Sequence, residues 1–398
     1  MATVDERDVA SSVAQPRIRL DYLDGLRGLA ACYVALGHIY VALVFFSRDV
    51  VLPQKLARVL GLFNIGQTAV DIFIVLSGYC LMLPAVRTHG ELKGGSWAYL
   101  RRRARRIIPP YYAALLVSLA LSWIVFVLGW PDSGLPLPSG AFVSHLLLVH
   151  NFSKNWIHAI DPPMWSVAVE WQIYFFLPFV LLPTWRRFGP FASVLVGFML
   201  GLGPHFIVPS TDFSFPWFLS LFSLGMLGAT INFSDDARSK WLLKKVPWGW
   251  VSLGIWFSVL AFLAASKGWY SHHQWLADPV LGLATMSLLI HGSRALPHPG
   301  AQSLVVRILG SRLAVWLGAF SYSLYLIHYP VMTFLWTATI GFPMSATARA
   351  ALMYGVGFPL MLIVSFVFHK AFELPFMRSP VVRAQPMSEG ANPAVGSE

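Results

Sequence analysis

Charged side chains are scarce in this 398-residue chain, where Asp, Glu, Lys and Arg together make up 12%. That is about half of the roughly 25% carried by soluble globular domains, too little polar surface to cover a soluble fold of this size. Soluble Rossmann or barrel enzymes are excluded on that ground, and intrinsic disorder is excluded because the chain is 56% hydrophobic. Cysteine is nearly lacking as well. Cys32 and Cys80 both fall within apolar stretches, so they form neither a disulfide framework nor a metal cluster and are read as packing residues. No metal is expected. Acidic residues number 18 against 29 Lys and Arg, a formal net charge of +11.

What the chain does have is apolar blocks of about 20 residues, the length an α-helix needs to cross a hydrocarbon layer about 30 Å thick. They fall at roughly 23 to 46, 62 to 83, 109 to 129, 163 to 183, 190 to 208, 215 to 233, 248 to 265, 277 to 292, 315 to 338 and 347 to 370. The expectation is an all-α polytopic bundle of about ten transmembrane helices in a cytoplasmic (inner) membrane. Membrane lipid is then its surroundings. Residues 1–20 read as a cytoplasmic tail without the apolar core of a cleavable signal peptide. Residues 21–375 read as one transmembrane domain, and 376–398, rich in Pro, Ser, Gly and Ala, as a disordered cytoplasmic tail.

The positive charge is informative through its distribution. With the first residue inside, only Arg48, Lys55, Arg58, Lys154, Lys267 and Arg349 of the 29 basic residues fall outside. Cytoplasmic loops of membrane proteins carry the excess of Lys and Arg, so both termini are expected in the cytoplasm. No nucleic-acid partner is needed to account for the charge. The densest run, Arg101-Arg102-Arg103-Ala104-Arg105-Arg106, leads into Ile107-Ile108-Pro109-Pro110. On a helix Arg103 and Arg106 are one turn apart and could grip one polyphosphate, since the guanidinium fork suits bidentate binding of phosphate. The alternative is a topology signal that also attracts anionic headgroups.

Ionisable groups inside spans are costly and therefore mark functional sites by default. Arg27 and His38 in the first span are eleven residues apart. That separation turns a helix about 20° past three revolutions and raises it about 16 Å, so the two share a face, Arg27 near the cytoplasm and His38 in the outer half. The plainer readings are a snorkelling arginine and a satisfied core histidine. Asp71, Glu170 and His328 join His38 in one layer, about 8 to 13 Å below the outer boundary. A carboxylate beside an imidazole would fix its tautomer and raise its basicity, as in a general base for a hydroxyl; alternatively each carboxylate only pairs with a buried donor. The outer stretch from about 130 to 162, with Trp130, Trp156 and nearby Trp165, suits an interfacial lid or acceptor platform, or simply a loop with aromatic anchors.

Five ordered segments carry a family resemblance. They are Leu23-Asp24-Gly25-Leu26-Arg27-Gly28-Leu29-Ala30 followed by His38; Asp71-Ile72-Phe73-Ile74-Val75-Leu76-Ser77-Gly78-Tyr79; Arg103-x-x-Arg106; Met164-Trp165-Ser166-Val167-Ala168-Val169-Glu170-Trp171-Gln172-Ile173-Tyr174; and Phe320-Ser321-Tyr322-Ser323-Leu324-Tyr325-Leu326-Ile327-His328-Tyr329-Pro330. Together, over residues 23 to 330, they resemble the acyltransferase-3 family of integral membrane acyltransferases. This family is typified by O-antigen and nodulation-factor acetyltransferases and macrolide acyltransferases.

The resemblance implies transfer of an acyl group, commonly acetyl, from cytoplasmic acyl-CoA to a hydroxyl of a carbohydrate, glycoconjugate or other acceptor. It implies His38 as the catalytic histidine, with Glu170 or Asp71 orienting its ring. Arg27, Arg103 and Arg106, with Arg102 beside them, are implied to engage the acetyl-CoA or other acyl-CoA donor. Trp165, Ser323, Tyr325 and His328 are implied as substrate-binding or structural residues. Trp171 stands where the family often has a second acidic residue, so a mechanism needing two adjacent carboxylates is not expected. Some members append an SGNH-type domain, and the short stretch after residue 370 leads us to expect the stand-alone form. Direct attack on the thioester and an acyl-histidine relay both remain open. The rival from another class is a proton-coupled transporter or flippase, also built from ten helices with buried ionisable groups; the lack of an internal repeat speaks against it.

Overall fold

The apolar blocks become helices because a backbone without water must satisfy its N–H and C=O groups internally. In the computed structural model, which describes residues 20–46, 52–131, 133–266, 268–294 and 302–377, no strand occurs among the described residues. The main helices are α1 (Asp21–Val41), α2 (Thr68–Arg87), α3 (Gly95–Val127), α4 (Trp165–Phe176), α5 (Pro190–Ile207), α6 (Phe218–Phe233), α7 (Trp248–Ala265), α8 (Gln274–Arg294), α9 (Arg312–Ala319), α10 (Ser321–Thr339) and α11 (Phe358–Phe368). Apart from residues 20, 376 and 377, the two expected tails lie outside the described residues.

All ten expected stretches fall on helix, but fewer qualify as spans by themselves. Seven described helices are long and apolar enough to cross a membrane, or up to eight if the bent pair Ala237–Lys245 and Trp248–Leu263, 64° apart, counts as one. The physical reason is visible in two helices near the middle of the bundle. α6 has only 16 residues and is buried over nearly its whole length. α10 carries Ser321, Ser323, His328, Thr333 and three tyrosines among its 19 residues. α6 is apolar but short, and α10 can carry these polar groups because protein rather than lipid surrounds most of it.

Other differences from the sequence reading concern where helices begin. α3 starts at Gly95, so the arginine run, ahead of the span expected at 109 to 129, is the first part of one continuous 33-residue helix. At 1.5 Å per residue such a helix is about 50 Å long, well beyond the hydrocarbon thickness. The stretch after it holds the short helix Ala141–Leu146 and the 3₁₀ turns His150–Phe152 and Pro162–Met164. In this stretch Trp156 donates its indole N–H to Ser139 O at 2.9 Å, and His145 stacks on His150 with ring centroids 3.9 Å apart. Burial pulls these two imidazoles down to about 4 and about 3, which keeps the stacked pair uncharged at neutral pH.

Within the bundle α2 lies against α6, α1 against α9 and α10, and α8 against α6, α2 and α7. The peripheral α5 has only 17% of its apolar window buried, against 67% for α8, so α5 turns its apolar side chains toward lipid. Association inside a membrane cannot draw on hydrophobic burial from water and depends on close packing, which small residues allow. At the α2–α6 contact a Cβ on Gly78 would run into the carbonyl oxygen of Phe222, and one on Gly225 into that of Val75. Gly25 faces the carbonyl of Leu309, in the short helix Leu304–Leu309 just before α9, and Ala314 of α9, and Gly28 faces Gly318 and Ala314 of α9. The two glycines of Asp24-Gly25-Leu26-Arg27-Gly28 thus turn one face of α1 to α9. Arg27, about 200° around the helix from Gly25, is left to face the interior.

Candidate active site

Two cavities lie one beyond the other along the bundle. The inner one, of about 260 Å³, is bordered by Arg27 of α1, Cys80 of α2, Arg103 and Arg106 of α3, Glu170 and Tyr174 of α4, and Tyr322 of α10. Helical spacing explains the selection from the arginine run: Arg103 and Arg106 turn inward, while Arg101, Arg102 and Arg105 are exposed. Arg102 instead donates to Lys93 O at 2.8 Å and does not border the cavity.

Arg27 donates from Nη2 to Cys80 Sγ at 3.3 Å, and its Nη1 lies 3.6 Å from Asp24 Oδ1. Cys80 is therefore a cavity residue and not only a packing one. Among the described residues neither Arg103 nor Arg106 has a carboxylate within 4.0 Å, and Nε of Arg103 is buried without a hydrogen-bond partner. Glu170 accepts a 2.5 Å hydrogen bond from Tyr174, whose oxygen in turn meets Ser77 Oγ at 2.9 Å. Three guanidinium groups thus face one cavity with a single carboxylate, an excess of positive charge suited to a polyanionic ligand.

The outer cavity, of about 220 Å³, is bordered by His38, Gln67, His158, Pro163 and Trp165, among others. His38 Nδ1 lies 3.1 Å from Val34 O and 3.1 Å from Nε2 of His328, and His328 Nδ1 lies 3.0 Å from Leu324 O. Carbonyl oxygens only accept, so Nδ1 carries the hydrogen in both rings. His328 donates to Leu324 O, which leaves its Nε2 as an acceptor for Nδ1–H of His38. The consequence is a bare lone pair on Nε2 of His38. The edge of Tyr329 packs against the same ring, with centroids 5.4 Å apart.

The structure brings together His38 and His328, which the sequence placed only at a similar depth. Glu170 is in the inner cavity with Tyr174 as its partner, and does not orient the His38 ring. Asp71 borders neither cavity; it is fully buried, both oxygens lack hydrogen bonds, and its neighbour is Asp278, which accepts from Trp217 Nε1 and Tyr270 OH. The partner of His38 is a histidine and not a carboxylate.

Ser323 donates to Glu373 Oε2 at 2.6 Å, and His369 shares that oxygen at 2.8 Å, so Ser323 ties α10 to the C-terminal helices away from both cavities. Trp165 lines the outer cavity and stacks on Phe215 at 4.0 Å. Tyr325 lines both cavities. Sequence reasoning missed Tyr174, whose signal was its position four residues after Glu170 on one helix face. It also missed Gln67, whose Nε2 is buried and unpartnered while Oε1 accepts from Gln274 at 3.0 Å. No pattern in the sequence marks that glutamine.

Comparison with known proteins covers the same stretch of the chain. The chain is 28% identical to O-acetyltransferase OatA of Staphylococcus aureus over 68% of this chain and 46% of that protein. It is 25% identical to peptidoglycan O-acetyltransferase OatA of Listeria monocytogenes over 67% of this chain and 45% of that protein. With acyltransferase MdmB of Streptomyces mycarofaciens it shares 26% identity over 95% of this chain and 97% of that one. The chain therefore spans about half the length of the OatA relatives it matches. No solved structure gives a significant match. The family model described as "Acyltransferase domain", Acyl_transf_3, runs over residues 20–370, from the start of α1 to past α11 and through every helix that borders the two cavities; the chain belongs to that acyltransferase family.

Proposed function

We propose that the protein is a multi-pass membrane O-acyltransferase that moves an acyl group, acetyl first, from cytoplasmic acyl-CoA to a hydroxyl of a carbohydrate or related acceptor. The observation that carries this reading is the bare Nε2 of His38 in the outer cavity, beyond an inner cavity lined by Arg27, Arg103 and Arg106. The OatA relatives, one of them named for peptidoglycan, support O-acetyl transfer and a carbohydrate acceptor. In this reading the phosphates of CoA lie on the inner arginines and its narrow pantetheine arm carries the thioester outward. Family membership favours this over the carrier alternative.

The chemistry follows from the tautomer. As the acceptor oxygen attacks the thioester carbonyl, His38 Nε2 takes the hydroxyl proton, and the resulting imidazolium is stabilised through Nδ1–H by Val34 O and His328. The attack forms the new C–O bond, and collapse of the tetrahedral intermediate restores the carbonyl of the ester and breaks the C–S bond. The CoA thiolate leaves and takes the proton back from His38 as CoA thiol. The free Nε2–H of Gln67 in the same cavity is available to hold the acceptor or the developing oxyanion.

The test is a transfer assay with purified protein, radiolabelled acetyl-CoA and a panel of saccharide acceptors that includes soluble peptidoglycan fragments. His38→Ala and His38→Gln are expected to abolish transfer with membrane insertion intact, and normal transfer by either sinks the assignment. Arg103→Ala and Arg106→Ala are expected to raise the KM for acetyl-CoA by about tenfold or more, as for loss of one charge-assisted contact worth ~1.5–3 kcal/mol. Arg102→Ala, outside the cavity, is expected to change it far less. Equal effects at all three positions would argue that the run acts only as a topology signal.

A further inference from the structure

Glu170 has no part in orienting His38, and its own surroundings point to another task. Ser166, Glu170 and Tyr174 stand one turn apart along α4, and all three border the inner cavity. The single hydrogen of the Tyr174 hydroxyl goes to Glu170 Oε1 at 2.5 Å, so Ser77 Oγ is the donor in its 2.9 Å bond to the Tyr174 oxygen. Ser77 of α2 thus aims Tyr174, and Tyr174 holds one carboxylate oxygen. The other, Oε2, has no hydrogen-bond partner among the described residues and, unlike Nε of Arg103, is not sealed off. Among the described residues no Lys, Arg or His nitrogen lies within 4.0 Å of the carboxylate, so it does not serve to neutralise one of the three arginines by direct pairing. A carboxylate only accepts hydrogen bonds, so an open Oε2 suits a ligand group that carries N–H or O–H.

We propose that Glu170 Oε2 accepts a hydrogen bond from an amide N–H or the hydroxyl of the donor's pantetheine arm, so that the inner cavity reads acyl-CoA at two points. Arg27, Arg103 and Arg106 take its phosphates, and Glu170 takes its arm. This rests on the acyl-CoA reading above and needs only the inner cavity. The chemistry of the cavity matches both halves of that donor: cations for an anionic end, and one bare acceptor for an uncharged arm whose amides and hydroxyl are donors. The depths agree as well. Trp165, at the head of α4, borders the outer cavity, and Glu170 lies about 7.5 Å further along the helix, whereas Arg27 lies about 16 Å along α1 from His38. Glu170 therefore stands between the histidine and Arg27, as the arm stands between thioester and phosphates. Tyr174 and Ser77 act through Glu170 and are positioning residues.

The experiment measures binding to the full-length protein in nanodiscs by titration calorimetry, with CoA and with phosphoadenosine diphosphate, the nucleotide of CoA without its arm. Glu170→Gln keeps an oxygen for Tyr174 and turns the cavity-facing atom into an NH₂ donor. It is expected to weaken CoA binding by roughly tenfold or more, the worth of one charge-assisted hydrogen bond, and to leave nucleotide binding unchanged. Arg103→Ala is expected to weaken both ligands. Nucleotide binding is the internal control, since a loss of folded protein lowers both affinities. Tyr174→Phe leaves the carboxylate unaimed and is expected to shift the ratio of the two affinities in the same direction by a smaller factor. CoA affinity unchanged in Glu170→Gln, or CoA and nucleotide weakened equally in that variant, overturns the role given to Glu170 and leaves the transferase reading intact. A wild-type protein that binds neither ligand overturns both.

Discussion

His38 and His328 show how two histidines take different roles from the hydrogen bonds at their other nitrogens. His328 is fully buried and spends Nδ1–H on Leu324 O, so its remaining nitrogen serves as an acceptor and joins Val34 O in holding the proton of His38 on Nδ1. In this account His328 touches no substrate and is a positioning residue. Replacing it with phenylalanine removes one of the two acceptors of Nδ1–H and leaves Val34 O alone to hold the His38 tautomer and to stabilise the imidazolium. Transfer is expected to fall by about 10²-fold, the lower range for loss of acid–base assistance. His328→Gln restores an acceptor oxygen near the same place and is expected to recover a large part of that loss. Equal kcat for the two variants, measured on protein of equal thermal stability, would mean that His328 only fills space. The arginines differ in the same way: Arg103 and Arg106 face the cavity while Arg102 is spent on Lys93 O.

The helices are placed by contacts that a hydropathy profile does not register. α2 and α6 approach until Gly78 of one touches the backbone of Phe222 and Gly225 of the other touches Val75. The Ser-Gly-Tyr segment of α2 is therefore partly a packing motif: Gly78 meets α6, Ser77 holds Tyr174 of α4, and the Tyr79 hydroxyl bonds Ser293 and Asn232. A methyl group at position 78 has backbone in front of it and no flexible side chain to push away. Gly78→Ala is expected to destabilise by about 1–3 kcal/mol, the usual cost of overpacking. A lower melting temperature in detergent is the readout. A melting temperature equal to the wild type would mean that the two helices can separate at no cost. The helix boundaries, too, are only partly legible: hydropathy starts the third span at 109, because the charge of the arginine run masks the helical continuity from Gly95 to Val127.

For the whole molecule, the layering of an arginine-lined cavity beneath a histidine-lined one agrees with the charge asymmetry of the chain, and we propose that both termini face the cytoplasm. A fluorescent protein fused after residue 398 is expected to fluoresce, and alkaline phosphatase at the same place to be inactive; the reverse pair would invert the orientation. Replacing Arg101, Arg102 and Arg105, the exposed members of the run, is expected to weaken that preference, since Lys and Arg near the ends of spans set topology. The sequence alone determined the all-helical membrane architecture, because blocks of apolar residues with few charges leave no other way to satisfy the backbone in lipid. It also singled out Arg27, His38, Arg103, Arg106 and Glu170, since charge inside or at the edge of a span is too costly to be casual. Only the tertiary structure decided which of them meet. Depth along the membrane follows from counting residues at a fixed rise, but lateral position follows from how glycines let one helix approach another. Depth therefore grouped Asp71 and Glu170 with His38, whereas packing gave His38 a histidine as its neighbour, Asp71 an aspartate, and Glu170 a tyrosine in the other cavity.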